Sequence, residues 1–379
     1  MYNIPLFDLN YGIEEEKAVI ETIRSKWISM GPKCQELEKQ FSELLNIKYS
    51  LAVTNCTAAL HLACLSLELT SGDEVLCPSL TFAATVNAIK YVGATPVFCD
   101  IESCRNLCIS PSEIEKKITS RTKAIIVMHY AGFPCNMKRI LDIAKKYNLK
   151  VIEDACHGPL SEYEEKKLGT IGDVGCFSFF SNKNISSGEG GMVVTNSEEL
   201  YNKMKLMRSH GMTTMSYQRA TGHAVEYDIE TLGYNYRLDD IRASLVTEQL
   251  KKLKRDLVMR NEIRNLYRKM LGDSDKFVIP FMSHNGFVSN YIFPIVLMNS
   301  NQEKRNRVRA LMARKGVQTS VHYPAVHLFS IYNQENVKLP NTEYVSCNEI
   351  TLPMYAKLTE NQIKYISDVL NEAIENSEC

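Results

Sequence analysis

Between residues 49 and 154, short apolar runs rich in β-branched residues alternate with segments of helical spacing, and no other feature constrains the fold as much. The strand-like runs are Tyr49 to Thr54, Glu74 to Cys77, Pro96 to Asp100, Lys123 to His129 and Leu149 to Asp154. Between them, helical patterns cover Leu60 to Leu67, a segment ending at Tyr91, Ser112 to Ile118 and Met137 to Tyr147. A chain built this way reaches each new strand by a helical crossover, which predicts βαβ units around a mostly parallel sheet. Open sheets of this kind bind ligands beyond the carboxyl ends of their strands. Ile13 to Arg24 and Cys34 to Leu45 read as two preceding helices broken at Gly31-Pro32, and Glu198 to Arg208 as a later one. Asp239 to Leu266 is a long amphipathic helix that can bridge domains. After it, Asn290 to Leu297 and Val317 to Val321 read as strands, and Glu303 to Lys315 and Glu360 to Glu375 as helices. The expectation is an α/β large domain with its N-terminal segment over residues 1–240, and a smaller α+β domain over 241–379.

Charge excludes some partners. Lysine plus arginine equal aspartate plus glutamate at 44 each, so no basic excess points to a nucleic acid polymer or an anionic membrane. No basic segment followed by an apolar one opens the chain, and no apolar run reaches the roughly 18 residues of a membrane span. A cytoplasmic location is expected. The 12 cysteines are scattered through apparent strands and helices, which predicts buried thiols. Cys99, Cys104 and Cys108 match no metal-ligand spacing, and no metal is expected.

Chemistry concentrates in the run from Gly169 to Thr195, which reads as a buried strand, an irregular loop with the single lysine Lys183, a glycine turn and a second strand. Phe177, Phe179 and Phe180 can bury on a sheet, and Gly188, Gly190 and Gly191 allow positive φ or close backbone approach. Desolvation of Lys183 in this setting would lower its pKa and favour the neutral, nucleophilic amine of Schiff-base chemistry. Upstream, the strand ending at Glu153-Asp154 delivers a carboxylate to a ligand-binding sheet edge, where it can pair with a protonated pyridine nitrogen. Tyr49 to Thr54 feeds Asn55-Cys56-Thr57-Ala58-Ala59 into a helix start, whose free N–H groups suit an anion; Thr57 there can serve as a phosphate ligand or as the cap.

The segments IEDACHG, GTIGDVGCFSFFSNKNISSGEGGMVVTN and LGYNYRLDDIRASL resemble the DegT/DnrJ/EryC1/StrS family of pyridoxal-phosphate sugar aminotransferases. NCTAALHLA, PSLTFAATVNAIKYVGATPVFCDI, HYAG, VHYPAVH and LPMYAKLT continue the likeness in the family's order, and it extends to perosamine-type 4-aminotransferases. The resemblance implies the type I aspartate aminotransferase fold with a seven-stranded sheet. It implies pyridoxal phosphate held by Lys183 and Asp154, with Thr57, Ala58 and Ser178 at the phosphate, Phe82 stacked on the ring, and His157 near the ring or its 3-oxygen. Asn235 would reach the phosphate of a partner subunit in a homodimer, Arg237 would lie nearby, and His322 and His327 would contact the sugar. The implied reaction moves an amino group from glutamate to a nucleotide-linked keto-sugar, a 4-keto-6-deoxyhexose, in amino-sugar and surface-polysaccharide biosynthesis. A pyridoxamine-dependent sugar dehydratase is an alternative, but such relatives typically carry histidine where this chain has Lys183. A non-catalytic regulatory homologue is another.

Overall fold

The computed structural model describes residues 2–214, 226–332 and 337–377. Seven strands make one sheet: β1 (Tyr49–Val53), β2 (Glu74–Pro78), β3 (Thr95–Cys99), β4 (Thr122–Met128), β5 (Lys150–Asp154), β6 (Val174–Ser178) and β7 (Gly191–Thr195). Their spatial order is β1-β7-β6-β5-β4-β2-β3. β7 runs antiparallel to both neighbours, and every other pairing is parallel. The exception has a local cause. β6 and β7 are joined by the lysine loop, which contains no helix to carry the chain back across the sheet, so β7 must return antiparallel. β2 and β7 are buried at every position, as expected of a sheet with helices on both faces. The carboxyl ends of β1, β2, β4, β5 and β6 and the start of β7 therefore meet along one edge.

Phe177 and Phe179 are buried, with their rings 5.1 and 5.8 Å from that of Phe41 in edge-on contact. Full burial of such a side chain is worth about 1.5–3 kcal/mol, which anchors both sides of the Ser178 turn into the loop. Phe180 departs from expectation: it is exposed, because the chain has left the sheet by then.

A second sheet is antiparallel, formed by β8 (Phe277–Val278), β9 (Phe293–Leu297) and β10 (Glu349–Leu352) in that order. Helices Gln302–Arg314 and Glu360–Glu375 cover it, with Val308, Met312, Ile363 and Leu370 in its core. The helix Asp240–Leu271 links the two regions. Its Leu253 and Leu257 pack with Leu37 and Phe41 of the helix Pro32–Leu45, while its Tyr267 lies in the core of the second sheet. Among the described residues no helix is long and apolar enough to cross a membrane.

Two expectations fail here. Val317 to Val321 does not form a strand: it makes only isolated pairings, Val317 with Ile4 and Ser320 with Thr351, because neither neighbour continues alongside it. The first residues, grouped with the large domain on sequence, belong instead to the second sheet. Ile4 is buried in its core, the Leu6 amide donates to Gln318 Oε1 at 2.9 Å, and the Met354 amide donates to the Leu6 carbonyl. β10 and the helix Pro340–Asn348 carry no sequence pattern strong enough to mark them.

Candidate active site

A cavity of about 450 Å³ opens at the shared sheet edge. Thr57, Phe82, Asp154, Ser178, Lys183 and His322, all expected at the site from sequence, line it. Each arrives by a short route from an element end. Glu153 and Asp154 are consecutive on β5, so their side chains leave opposite faces of the sheet. Glu153 is fully buried and accepts from the amides of Gly169, Ile171 and Gly172 and from His129 Nε2, which fixes the turn into β6. Asp154 points into the cavity. Its Oδ2 accepts from Thr85 Oγ1 at 2.8 Å and its Oδ1 from the Cys156 amide at 3.3 Å. It is only 3% exposed and makes no direct ion pair among the described residues; Lys183 is the cation that shares the cavity with it.

Lys183 projects from the loop into the same space, its Nζ 3.9 Å from Cys156 Sγ and 4.1 Å from the centroid of the Tyr291 ring. Burial pulls the ammonium pKa down as the sequence predicts, but Cys156, Tyr291 and Asp154 outweigh it, and the pKa lies above its ordinary value. The expected lowering is therefore corrected: before any cofactor binds, the amine is held as an ammonium by a π face and a nearby carboxylate. Gly188 has φ +83°, a turn that side chains rarely allow. A Cβ on Gly191 would lie 2.6 Å from the Asn55 carbonyl carbon, so only glycine lets β7 start against the end of β1.

The helix Cys56–Ser66 begins at this edge and is capped by Asn55, whose Oδ1 accepts from the Ala58 amide at 2.9 Å. Thr57 is thus not the cap, and it faces the cavity. Ala58 is buried with its amide already engaged. His157 is buried behind the wall. Its Nδ1 accepts from the Ala131 amide, so Nε2 carries the proton and donates to Tyr323 Oη at 2.9 Å. Burial, followed by Lys183 and His322, pushes its pKa well below the ordinary value, so the ring is neutral.

Asn235 is exposed and lies outside its own chain's cavity, paired with Ser209. Arg237, adjacent to Val53, is half-buried and also outside the cavity. His327, expected at the sugar, is displaced from the site: it is buried, with Nδ1 bonded to Ser79 Oγ at 2.7 Å and Nε2 to Glu343 at 3.3 Å. The polar stretch His210 to Gly222, expected beside the site or a subunit contact, lies outside the described residues from 215 onward.

Sequence reasoning missed Tyr291, Tyr323 and Cys156, which complete the cavity lining. The Tyr291 ring stacks on His157 at 4.2 Å, and Tyr323 lies 6.1 Å from Phe82. Cys156 sits beside the singled-out Asp154 and could have been inferred from its place in the strand-end turn. Tyr291 gives no local signal, because only the approach of the second region makes it a wall.

The donor set fits pyridoxal phosphate. An unpaired buried carboxylate stands ready for a ring cation and an amine for an aldehyde carbon. A helix start with Thr57 and Ser178 suits a phosphate, and the ring of Phe82, 60% exposed, offers a flat face.

A fold with this strand order and a lysine at this loop defines a pyridoxal-phosphate-dependent transferase. Comparison with known proteins gives the family: the DegT/DnrJ/EryC1/StrS aminotransferase family matches residues 10–371, and the chain belongs to it. GDP-perosamine synthase of Escherichia coli O157:H7 is 36% identical, over 98% of this chain and 99% of its own. The putative sugar aminotransferase Spr1654 of Streptococcus pneumoniae, solved in forms with pyridoxal and pyridoxamine phosphate, superposes with a TM-score of 0.92 at 29% identity. That match covers 99% of this chain and 100% of the other in the pyridoxamine form. PseC of Helicobacter pylori, an aminotransferase of pseudoaminic acid biosynthesis, gives 0.90 at 30% identity over 99% of each chain.

Proposed function

We propose that this aminotransferase moves an amino group from glutamate to a nucleotide-linked keto-sugar, a 4-keto-6-deoxyhexose, within amino-sugar biosynthesis in the cytoplasm. The observation that carries the reading is the meeting of Lys183 and Asp154 in one cavity, the amine held over Tyr291 and the carboxylate held by Thr85 with no direct ion pair. The kinship with GDP-perosamine synthase supports the sugar class.

Bound pyridoxal phosphate supplies an electron sink for the pair released when a proton leaves the donor's α-carbon. Asp154, fixed by Thr85 and the Cys156 amide, holds a positive charge at the ring nitrogen. Lys183 Nζ takes and returns the migrating proton, a general acid–base task worth about 10²–10⁴ in rate. Thr57, Ser178 and the helix start would hold the phosphate, and Phe82 would cover the ring. His157 donates to Tyr323 Oη, which leaves the Tyr323 hydroxyl proton free to meet the substrate. Tyr323 stays protonated because burial raises its pKa far above the ordinary value.

The enzyme works as a homodimer in which Asn235 of one chain reaches the cofactor phosphate of the other, with Arg237 adding positive charge. The exposed Tyr227, Ile229 and Leu232 just upstream are what a subunit contact would bury. Incubating the protein with pyridoxal phosphate, glutamate and a panel of GDP-, UDP- and dTDP-linked 4-keto sugars tests the reading. Mass spectrometry should find 2-oxoglutarate and one amino sugar in equal amounts. Turnover of none of the sugars, with glutamate still consumed in a half-reaction, would overturn the sugar assignment alone.

A further inference from the structure

His322 is held from behind by a chain of groups that runs away from the cavity into the second sheet. Its Nδ1 lies 2.8 Å from Thr351 Oγ1, and Thr351 Oγ1 is hydrogen-bonded in turn to Glu349 Oε1. Glu349 Oε2 accepts from the His322 amide at 2.8 Å, which closes the loop. Tyr130 Oη donates to the His322 carbonyl from the other side. The ring lines the cavity and its Nε2 has no hydrogen-bond partner among the described residues, so that nitrogen is what the cavity meets. Nothing in the aminotransferase chemistry above accounts for Glu349, a fully buried carboxyl on β10.

We propose that Glu349 and Thr351 are positioning residues that set the hydrogen-bonding sense of His322, so that ionisation of Glu349 converts Nε2 from a donor into an acceptor toward the substrate. The geometry allows only two arrangements. Oε2 is occupied as an acceptor by the His322 amide, so a proton on Glu349 sits on Oε1 and donates to Thr351 Oγ1. The Thr351 hydroxyl then donates to Nδ1, and Nε2 carries the ring proton. When Glu349 is ionised, Thr351 donates to Oε1, Oγ1 accepts from Nδ1–H, and Nε2 is bare. One proton separates the two states. It moves from Oε1 to Oγ1 as the Thr351 proton moves to Nδ1 and the Nε2 proton leaves to the cavity, a route out for a carboxyl with no exposed surface.

The charges around the chain place the switch in an accessible range. Burial raises the Glu349 pKa, opposed by Thr351, the His322 amide, Arg305 and Arg309, and the balance is about 8. Arg305 and Arg309 reach it from the helix Gln302–Arg314, and Tyr130 from the turn after β4. Across the cavity, His322 faces Lys183, and burial with that charge lowers its pKa to about 3. The ring is therefore neutral on both sides of the transition, and its tautomer alone changes. The use of the switch on a keto-sugar rests on the proposed function; its existence does not.

Nitrogen-15 NMR of histidine-labelled protein without substrate reads the tautomer directly, with His322→Asn identifying the signal. The Nε2-protonated form should fall from about nine-tenths at pH 7 to about one-tenth at pH 9, the course of one group titrating near 8. Glu349→Gln should lock that form across the range, because its amide group must donate to Thr351 while its oxygen accepts the His322 amide. Thr351→Val, which cuts the relay but leaves Glu349 in place, should abolish the pH dependence and covers the case in which Glu349→Gln does not fold. A wild-type tautomer constant from pH 6 to 10, or a transition that survives in either variant, would overturn the proposal. Neither result bears on whether the enzyme transaminates.

Discussion

The cavity has a floor and a wall, and the two are made differently. The floor comes from ends of neighbouring strands of the large sheet: Thr57 after β1, Asp154 at the end of β5, Ser178 at the end of β6, Lys183 in the following loop. The wall comes from afar. Tyr291 precedes β9, while His322 and Tyr323 follow the helix Gln302–Arg314 and lean on β10. The floor presents two ionisable groups, Asp154 and Lys183, that serve the cofactor. The wall presents neutral hydroxyl and imidazole groups whose donors and acceptors are set by partners behind them. Cofactor chemistry is thus anchored in short-range sequence, while the substrate face depends on how a second region is docked and protonated.

Floor substitutions should therefore strike turnover, and wall substitutions substrate recognition. Lys183→Arg keeps the positive charge but cannot serve as the proton carrier, and transamination should fall by about 10²–10⁴ in single-turnover assays. Asp154→Asn leaves the ring cation without its buried counter-charge. Breaking such a pair costs about 3–5 kcal/mol, so cofactor affinity or turnover should drop roughly a hundredfold to a few thousandfold, read by titration with pyridoxal phosphate.

On the wall, His322→Asn should raise KM for the keto-sugar about tenfold, the worth of one hydrogen bond of about 1.4 kcal/mol, with little change in the glutamate half-reaction. His327→Asn is the control that sharpens the contrast. Its ring is buried between Ser79 and Glu343, so it should lower the unfolding midpoint in urea and leave KM unchanged. Equal KM effects from the two histidines would break the distinction between wall and support.

The least visible effect concerns stability. Glu349 is raised from 4.5 to about 8 on folding, so its contribution is intact below pH 4.5 and is lost as pH climbs through 8, by at most about 5 kcal/mol. Subtracting the urea-unfolding profile of Glu349→Gln from that of wild type should isolate this slope. A wild-type stability that rises relative to the variant between pH 5 and 8 would contradict it.

What was legible in the sequence follows the same division. β5, the helix Met137–Tyr147 and the lysine loop declare themselves through local periodicity and glycine placement, and they fix Asp154 and Lys183. The partners of Ala58, His157 and His327 are not legible from motif alone: the local cap Asn55 takes the Ala58 amide, Tyr323 and Ala131 bond His157, and Ser79 and Glu343 bond His327. The direction of the Lys183 pKa is not legible in the sequence, because burial is readable from an apolar context, whereas the ring of Tyr291, 108 residues onward in the chain, is not. β10 stays hidden because Glu349-Ile350-Thr351-Leu352 alternates over only four residues, too short a run to mark a strand, and all four are buried although two are polar.

The central claim is that Lys183 and Asp154 together hold pyridoxal phosphate for amino transfer, and the visible absorption spectrum of the protein tests it most directly. Adding pyridoxal phosphate should produce a yellow cofactor band that glutamate bleaches with release of 2-oxoglutarate, and Lys183→Ala should fail to form it. A wild-type protein that shows no band, or a band that glutamate and every other amino donor leave unmoved, would contradict the account.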